Sequence, residues 1–306
     1  MKILTDADLD RRELMAVAID AVAESFHLKS QGAFIAPPRH SVSFANRGNL
    51  VFTIGGALSD GSVAGFRVYD TFQGEKHEQL VAVWQTENAE LLGIVIGERL
   101  GAIRTGAIGG LAIRHMSNAD ARLIGVLGSG QQARTQLEAA AAVRKLEHVR
   151  VFSRNEESRK RFASEMSDRL EVPVEPVISA QVAVDGADIV ICATSSNVPV
   201  VEASWLKSGA HVNTVGPKTV TAHELGLDVA ILAGTIATDS LDQMRSYDEP
   251  FFLVGSPVER SITDIAKIVC GDIAGRRSPD EITLFCSVGL AGTEVLVAAK
   301  IIAATQ

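Results

Sequence analysis

Residues 123–137 constrain this chain most. The apolar run LIGVL leads into Gly128-Ser129-Gly130-Gln131-Gln132-Ala133, and a helical pattern carrying Leu137 follows. A G-x-G-x-x-A turn between a strand and a helix is the dinucleotide fingerprint in its required setting. Gly128 permits the tight turn, Gly130 lets backbone approach a diphosphate, and Ala133 keeps the helix close to its strand. The free N–H groups and partial positive charge of the helix N-terminus then face the phosphates. Around this loop the rhythm is strand, helix, strand. RLIGVLG, HVRVFS, ADIVICAT, AHVNTVG, TIATDS and EITLFCS are short runs rich in Val and Ile, and helical segments are predicted near 131–146, 156–170, 202–208 and 257–275. Such alternation implies a parallel sheet with helices on both faces.

The rest of the chain has another pattern. Residues 5–30 read as a helix, with Thr5 and Asp8 as a capping box and Met15, Ile19, Val22 and Phe26 on one face. From Ala33 to Gln85, apolar stretches alternate with Gly, Asn and Asp turns, which predicts a mostly antiparallel sheet. A second helical run follows Gly101, with Ile103, Ala107, Leu111 and Met116 on one face. The last stretch, Gly292 to Thr305, reads as a helix with only Glu294 and Lys300 charged. The fold class is therefore α/β: a Rossmann-type doubly wound parallel sheet over 118–290, plus a second, α+β domain over 1–117 to which a helix at 291–306 returns.

Composition narrows the function. With 29 Lys+Arg against 37 Asp+Glu in 306 residues the net charge is −8, which argues against nucleic-acid binding. No uncharged apolar run reaches the ~20 residues of a membrane span. The N-terminus MKILTDADLDRRE is too acidic for a signal peptide. Cys192, Cys270 and Cys286 stand in apolar runs and read as buried thiols of a cytoplasmic protein. No CxxC or HExxH spacing occurs, so no metal is expected.

The end of the next strand bears on the choice of cofactor. NAD-binding units carry an acid ~20 residues beyond the glycines, on the adenosine ribose. Here VRVF runs into Ser153-Arg154-Asn155, with Arg159 and Lys160 further on. A guanidinium at Arg154 suits a 2′-phosphate, so NADP(H) is expected over NAD(H), which remains possible; the alternative is a solvated arginine at a helix entry. Thr194, Ser195 and Ser196, then Val215 and Gly216, then Ser287 and Gly289, follow three further strands, at the ends where doubly wound sheets bind ligands.

Seven segments together resemble the ornithine cyclodeaminase/mu-crystallin family: APPRH at 36–40, LGAIRTGAIGGLA at 100–112, GVLGSGQQAR at 125–134, VFSRN at 151–155, GADIVICATSS at 186–196, HVNTVG at 211–216 and SPDEITLFCSVGLA at 278–291. The resemblance implies an NAD(P)-dependent enzyme of amino-acid or imine metabolism, acting on a small amino, imino or keto acid. It also implies a homodimer formed through the first domain. The nicotinamide half of the cofactor would lie at Thr194, Ser195, Val215 and Gly216, closed by Ser287 and Gly289. Arg39, Arg67 and Arg104 would line the substrate pocket, Arg67 standing where the family usually has Lys. A guanidinium fork suits an α-carboxylate; the alternative for each arginine is a structural salt bridge.

Two positions depart from the cyclodeaminase pattern. Lys218 stands where that pattern has an Asp, and LVFTIGG lacks its Glu. Cyclisation of ornithine needs a base for its amine, whereas a reductase needs a hydride and one proton. Lys218 is the candidate to polarise or protonate the substrate, against the alternative of a solvated loop lysine. His211 reads as structural, and His223 with Glu224 as a helix start. The first reading is an NADPH-dependent reductase of a small α-imino (cyclic ketimine) or α-keto carboxylate. Ornithine cyclodeaminase is the alternative, and a non-enzymatic dinucleotide-binding protein the third.

Overall fold

The computed structural model describes residues 1–37, 39–58, 62–74, 77–247 and 249–305. The chain divides into two compact units, Met1–Ala107 with Leu290–Gln306, and Ile108–Gly289. The division falls inside one helix, Arg99–Met116, and not at its end. That helix is continuous because Ile103, Ala107, Leu111 and Met116 are all buried along one face.

In the first unit seven strands form one sheet: β1 (Lys2–Thr5), β2 (Phe34–Ile35), β3 (His40–Ser43), β4 (Asn49–Ala57), β5 (Val63–Asp70), β6 (Leu80–Gln85) and β7 (Leu91–Ile96). Their order is β1-β7-β6-β5-β4-β2, with β3 also paired to β4. Every pairing is antiparallel except that of β1 with β7. Helix α1 (Leu14–Ser30) is shorter than expected. Thr5 N–H and Oγ1 both bond Asp8 Oδ2 at 2.8 Å, but they close a turn after β1, whose backbone pairs with β7 instead of turning helical. Helix α2 is Arg99–Met116, and the last helix of the chain, α9 (Thr293–Ala304), packs with α1 and against β4–β7. Its approach depends on two glycines: a Cβ on Gly55 would stand 2.3 Å from Gly292 Cα. Strand register then puts Val51, Val81 and Val95, all buried, on one face of the sheet. The other face carries the rows Phe52-Val68-Leu80-Ile96 and Ile54-Phe66-Ala82-Ile94-Ile3. Ile54 and Ile3 there are 54% and 57% exposed.

In the second unit the strands are β8 (Leu123–Leu127), β9 (His148–Phe152), β10 (Val174–Pro176), β11 (Ile189–Cys192), β12 (His211–Thr214), β13 (Thr235–Thr238), β14 (Ile262–Asp264) and β15 (Thr283–Cys286). They form one fully parallel sheet in the order β10-β9-β8-β11-β12-β15-β13-β14. Strands β11, β12 and β15 are buried at every residue, as a parallel sheet covered on both faces requires. The helices are α3 (Gln131–Val143), α4 (Glu156–Leu170), α5 (Ala180–Val184), α6 (Leu227–Leu232), α7 (Leu241–Arg245) and α8 (Ile265–Val269). Two expected helices are corrected. The segment 202–208 holds only a 3-10 turn, Ala203–Trp205. The segment 257–275 breaks into a 3-10 turn, the edge strand β14 and α8, because Ile262–Asp264 pairs with β13 and Asp264 Oδ1 caps α8 through Ala266 N–H. His211 is structural: its nitrogens bond Thr283 Oγ1 and Asn213 Oδ1, both at 2.8 Å, and burial pushes its pKa down to about 3. Among the described residues, no helix is long and apolar enough to cross a membrane.

Candidate functional site

The strand order of the second unit reverses between β8 and β11, the place where doubly wound sheets open a ligand crevice. The turn after β8 meets the end of β11 there. Gly128 has φ +108°, and a Cβ on it would stand 2.2 Å from Ala193 O. A cleft of ≈ 1170 Å³ lies beside this contact. Gly128, Ser129, Gly130, Gln131 and Gln132 line it from the glycine turn, Ser153, Arg154 and Asn155 from the end of β9, and Thr194 and Ser195 from the end of β11. Residues 198–202 and Trp205 complete its wall.

The cleft fits a dinucleotide on three observations. Helix α3 starts at Gly130 with no side-chain cap, so its first N–H groups keep their capacity for a phosphate. A Cβ on Gly130 would meet nothing within 4 Å, so the backbone there is open to a ligand. Gln132 Oε1 is buried and has no hydrogen-bond partner. Ala133 is fully buried beneath the turn. Ser129 Oγ donates to Ser153 Oγ at 3.0 Å, which ties the glycine turn to the end of β9, and Asn155 caps α4 by accepting from Ser158 N–H at 2.8 Å. Arg154 is exposed on the cleft. Arg159, expected to hold cofactor, is not among the lining residues. Its Nη1 donates to Ser153 O at 2.6 Å and its guanidinium lies over the Phe152 ring at 5.4 Å, so it braces the wall from behind. Lys160 pairs with Glu156 at 2.6 Å.

Val215, Gly216, Ser287 and Gly289 stand outside that lining, at the ends of β12 and β15. Their N–H groups are engaged by the protein itself. Glu224 Oε1 accepts from Val215 N–H (3.0 Å), Gly216 N–H (2.5 Å) and Thr214 Oγ1 (2.7 Å). Its Oε2 accepts from Thr194 N–H (2.8 Å) and Thr194 Oγ1 (2.7 Å). Asp239, also fully buried, accepts from Val288 N–H (2.7 Å) and Gly289 N–H (2.8 Å), and Ser287 N–H donates to Thr214 O at 3.0 Å. His223 and Glu224 do not start a helix. His223 forms a bridge with Lys218, and its ring stacks on Phe252 at 5.4 Å. Lys218 is not a solvated loop residue: it is 9% exposed, and its Nζ donates to Val215 O (3.1 Å) and Gly216 O (2.5 Å). The thiol of Cys286 on β15 is pushed up to about 12 by burial, and Cys192 is raised for the same reason; Cys270, expected to be buried with them, is only half-buried at the end of α8.

In the first unit the structure brings Arg67 and Arg104 together. Both are buried, and both donate to Glu294 Oε1, from Arg67 Nη1 at 2.9 Å and Arg104 Nη2 at 2.8 Å. Burial alone would raise the Glu294 carboxyl, but the Arg104 and Arg67 charges outweigh it and hold the pKa at about 2. Arg67 also forks onto Gln79 Oε1 and lies over the Tyr69 ring at 4.5 Å. Gly101 leaves room for this fork, since a Cβ there would meet Arg67 Nη2 at 2.9 Å. The ion pair that stood as the alternative for these two arginines is therefore formed, as a shared anchor of two guanidinium groups. Arg39 is half-buried at the entry to β3.

The profile of the ornithine cyclodeaminase/mu-crystallin family matches residues 1–305. The chain belongs to this family. A Delta(1)-pyrroline-2-carboxylate reductase of Bacillus thuringiensis subsp. konkukian is 29% identical over 274 residues, 86% of this chain and 84% of that one. The structure of Thermococcus litoralis Delta(1)-pyrroline-2-carboxylate reductase in complex with NADH and L-proline is similar over 99% of this chain and 97% of that one, with 29% identity and a TM-score of 0.87. An archaeal alanine dehydrogenase dimer with bound NAD is similar over 98% of this chain and 94% of that one, with 27% identity and a TM-score of 0.85.

Sequence reasoning does not reach three buried carboxylates, Glu224, Asp239 and Glu294, each of which accepts from several donors. Glu294 left a trace in the sequence, as the lone acid of an otherwise apolar helix whose other charge, Lys300, pairs with Glu24 at 2.8 Å. Glu224 and Asp239 left none, because most of their partners are backbone N–H groups.

Proposed function

We propose that the chain is an NADPH-dependent reductase of a small α-imino or α-keto carboxylate, a cyclic ketimine being the type of substrate. The observation that carries this reading is the cleft itself: an uncapped helix behind a glycine turn at the switch point, with an arginine and no acid where the adenosine ribose would lie. The pyrroline-2-carboxylate reductases among its relatives support the substrate class.

The glycine turn and the first turn of α3 hold the diphosphate, and Arg154 selects a 2′-phosphate. NAD(H), bound by relatives in this family, is the weaker ligand of the two. The ends of β11 and β12 and the loop after β15 carry the nicotinamide half, which supplies the hydride when bound. Arg39, Arg67 and Arg104 hold the substrate carboxylate, and the shared bond to Glu294 keeps two of these guanidinium groups in one place before substrate arrives. Lys218 holds at Nζ the proton that the imine nitrogen or carbonyl oxygen takes up as the hydride reaches its carbon, and the Val215 and Gly216 carbonyls fix where Nζ stands. A lysine whose Nζ is held as a donor to two carbonyls suits protonation of the reduced substrate better than deprotonation of an amine.

The protein works as a homodimer formed through the outer face of the first sheet. Ile3 and Ile54 are exposed there among Phe52, Phe66 and Leu80, an apolar face that a monomer leaves in water. The similar archaeal alanine dehydrogenase is a dimer. Buried thiols at Cys192 and Cys286 fit a reducing, cytoplasmic setting.

A substrate panel tests the function. Pyrroline-2-carboxylate, piperideine-2-carboxylate and pyruvate are offered with NADPH and with NADH, and nicotinamide absorbance is followed. Oxidation of NADPH by an imino or keto acid supports the reading. Ammonia release from ornithine with no net change in the nicotinamide contradicts it.

A further inference from the structure

Glu224 is fully buried, and its side chain gathers five donors from the ends of two neighbouring strands: Thr194 after β11, Thr214 at the end of β12, and Val215 and Gly216 beyond it. Its main-chain carbonyl accepts a sixth, Val200 N–H at 2.9 Å. Thr194 and Val200 line the dinucleotide cleft. A carboxylate is an acceptor on both oxygens, so one side chain satisfies all five side-chain bonds. An amide of the same shape would turn an NH2 group toward donors on one side or the other. The packing is tight as well. A Cβ on Gly216 would stand 2.4 Å from Thr194 O and 2.5 Å from Glu224 Cδ, so the carboxylate and the two strand ends are in mutual contact.

We infer that Glu224 is a positioning residue for the nicotinamide half of the dinucleotide. It sets where the ends of β11 and β12 stand relative to one another, and so shapes the surface against which the nicotinamide ribose and ring rest. The adenosine half rests on other segments, the Gly128 turn and Ser153–Asn155. The inference depends on the dinucleotide reading above, and it divides the cleft into a part that Glu224 controls and a part that it does not.

The test uses that division. Glu224→Gln and Thr214→Val are compared with the wild type by calorimetric titration of NADPH and of its fragment adenosine 2′,5′-bisphosphate, with NADH and AMP as a second pair. For Glu224→Gln the whole dinucleotide should bind roughly tenfold more weakly or worse, from donors left unsatisfied, and the fragment within about twofold of wild type. Thr214→Val, which removes one donor, should shift the same ratio in the same direction by less, and it carries the test alone if Glu224→Gln does not fold. Unchanged binding of both ligands in the variants overturns the inference. So does a parallel loss of both, which marks a general structural role. A wild type that binds the fragment but neither dinucleotide sinks the underlying reading instead.

Discussion

Replacing Glu294 with Gln tests the electrostatics of the first unit in the most quantitative way. The carboxylate is fully buried and shared by Arg67 and Arg104, and these charges hold its pKa at about 2 against an ordinary 4.5. At ~1.4 kcal/mol per unit, this difference corresponds to roughly 3 kcal/mol of folding stability. The folded pKa lies below the unfolded one, so the contribution is complete above pH 4.5 and is lost as pH falls toward 2. His211 acts in the same direction in another window. Its folded pKa of about 3 lies below the ordinary 6.5, so stability also declines from pH 6.5 toward 3 as the unfolded state takes up a proton. The assay is urea unfolding at pH 7, 5, 4 and 3, followed by tryptophan fluorescence in a Trp205→Phe background, which leaves Trp84 of β6 as the reporter of the first unit. Glu294→Gln should lower stability at pH 7 by about 3 kcal/mol. It should also flatten the decline below pH 4.5 by about one proton and leave the decline between pH 6.5 and 4.5 in place. A variant as stable as wild type at pH 7, or one with an unaltered acid slope below pH 4.5, would show that the shared carboxylate does not stabilise the first unit.

Three further outcomes follow from the site and the sheet. Arg154→Ala should weaken NADPH binding roughly tenfold while leaving NADH within about twofold, by loss of a charge-assisted phosphate contact; equal affinities of the wild type for the two dinucleotides would remove the basis for the preference. Lys218→Met should lower turnover by roughly a hundredfold and change dinucleotide affinity little, the range of a lost general acid; unchanged turnover takes the lysine out of the chemistry. Ile54→Asp combined with Phe66→Asp places two charges on the outer face of the first sheet, and light scattering should report a dimer for the wild type and a monomer for the variant; a variant that remains dimeric places the interface elsewhere.

The glycine turn was legible because its chemistry is local. Gly128, Gly130 and Ala133 act within six residues of one another, and the structure shows each in the strand–turn–helix setting that the sequence predicts. The six central strands of the parallel sheet were legible for the same reason, as short apolar runs between helical segments. Short or edge elements were not. The segment 5–13 reads as the first turns of a helix because the Thr5–Asp8 contact looks alike in a cap and in a turn, and only the pairing of Lys2–Thr5 with β7 decides between them. β10 and β14 are three-residue strands defined by one neighbour each. Arg104 stands in an apolar helix, but its partner Glu294 lies 190 residues away, and Arg67 is 227 residues from the same carboxylate. No spacing rule reaches across such distances. Glu224 lay further out of view, because a carboxylate that bonds mostly backbone leaves no complementary side chain to find.

On the proposed reading, this chain directs a hydride from a reduced nicotinamide onto the carbon of a small carboxylate-bearing C=N or C=O group. The most direct measurement incubates the protein with pyrroline-2-carboxylate and NADPH deuterated at both C4 positions, and locates the label by NMR. Proline should carry deuterium on its α-carbon, in step with oxidised dinucleotide. Unlabelled proline, or label that stays wholly on the nicotinamide with the pyrroline-2-carboxylate unreduced, would contradict it.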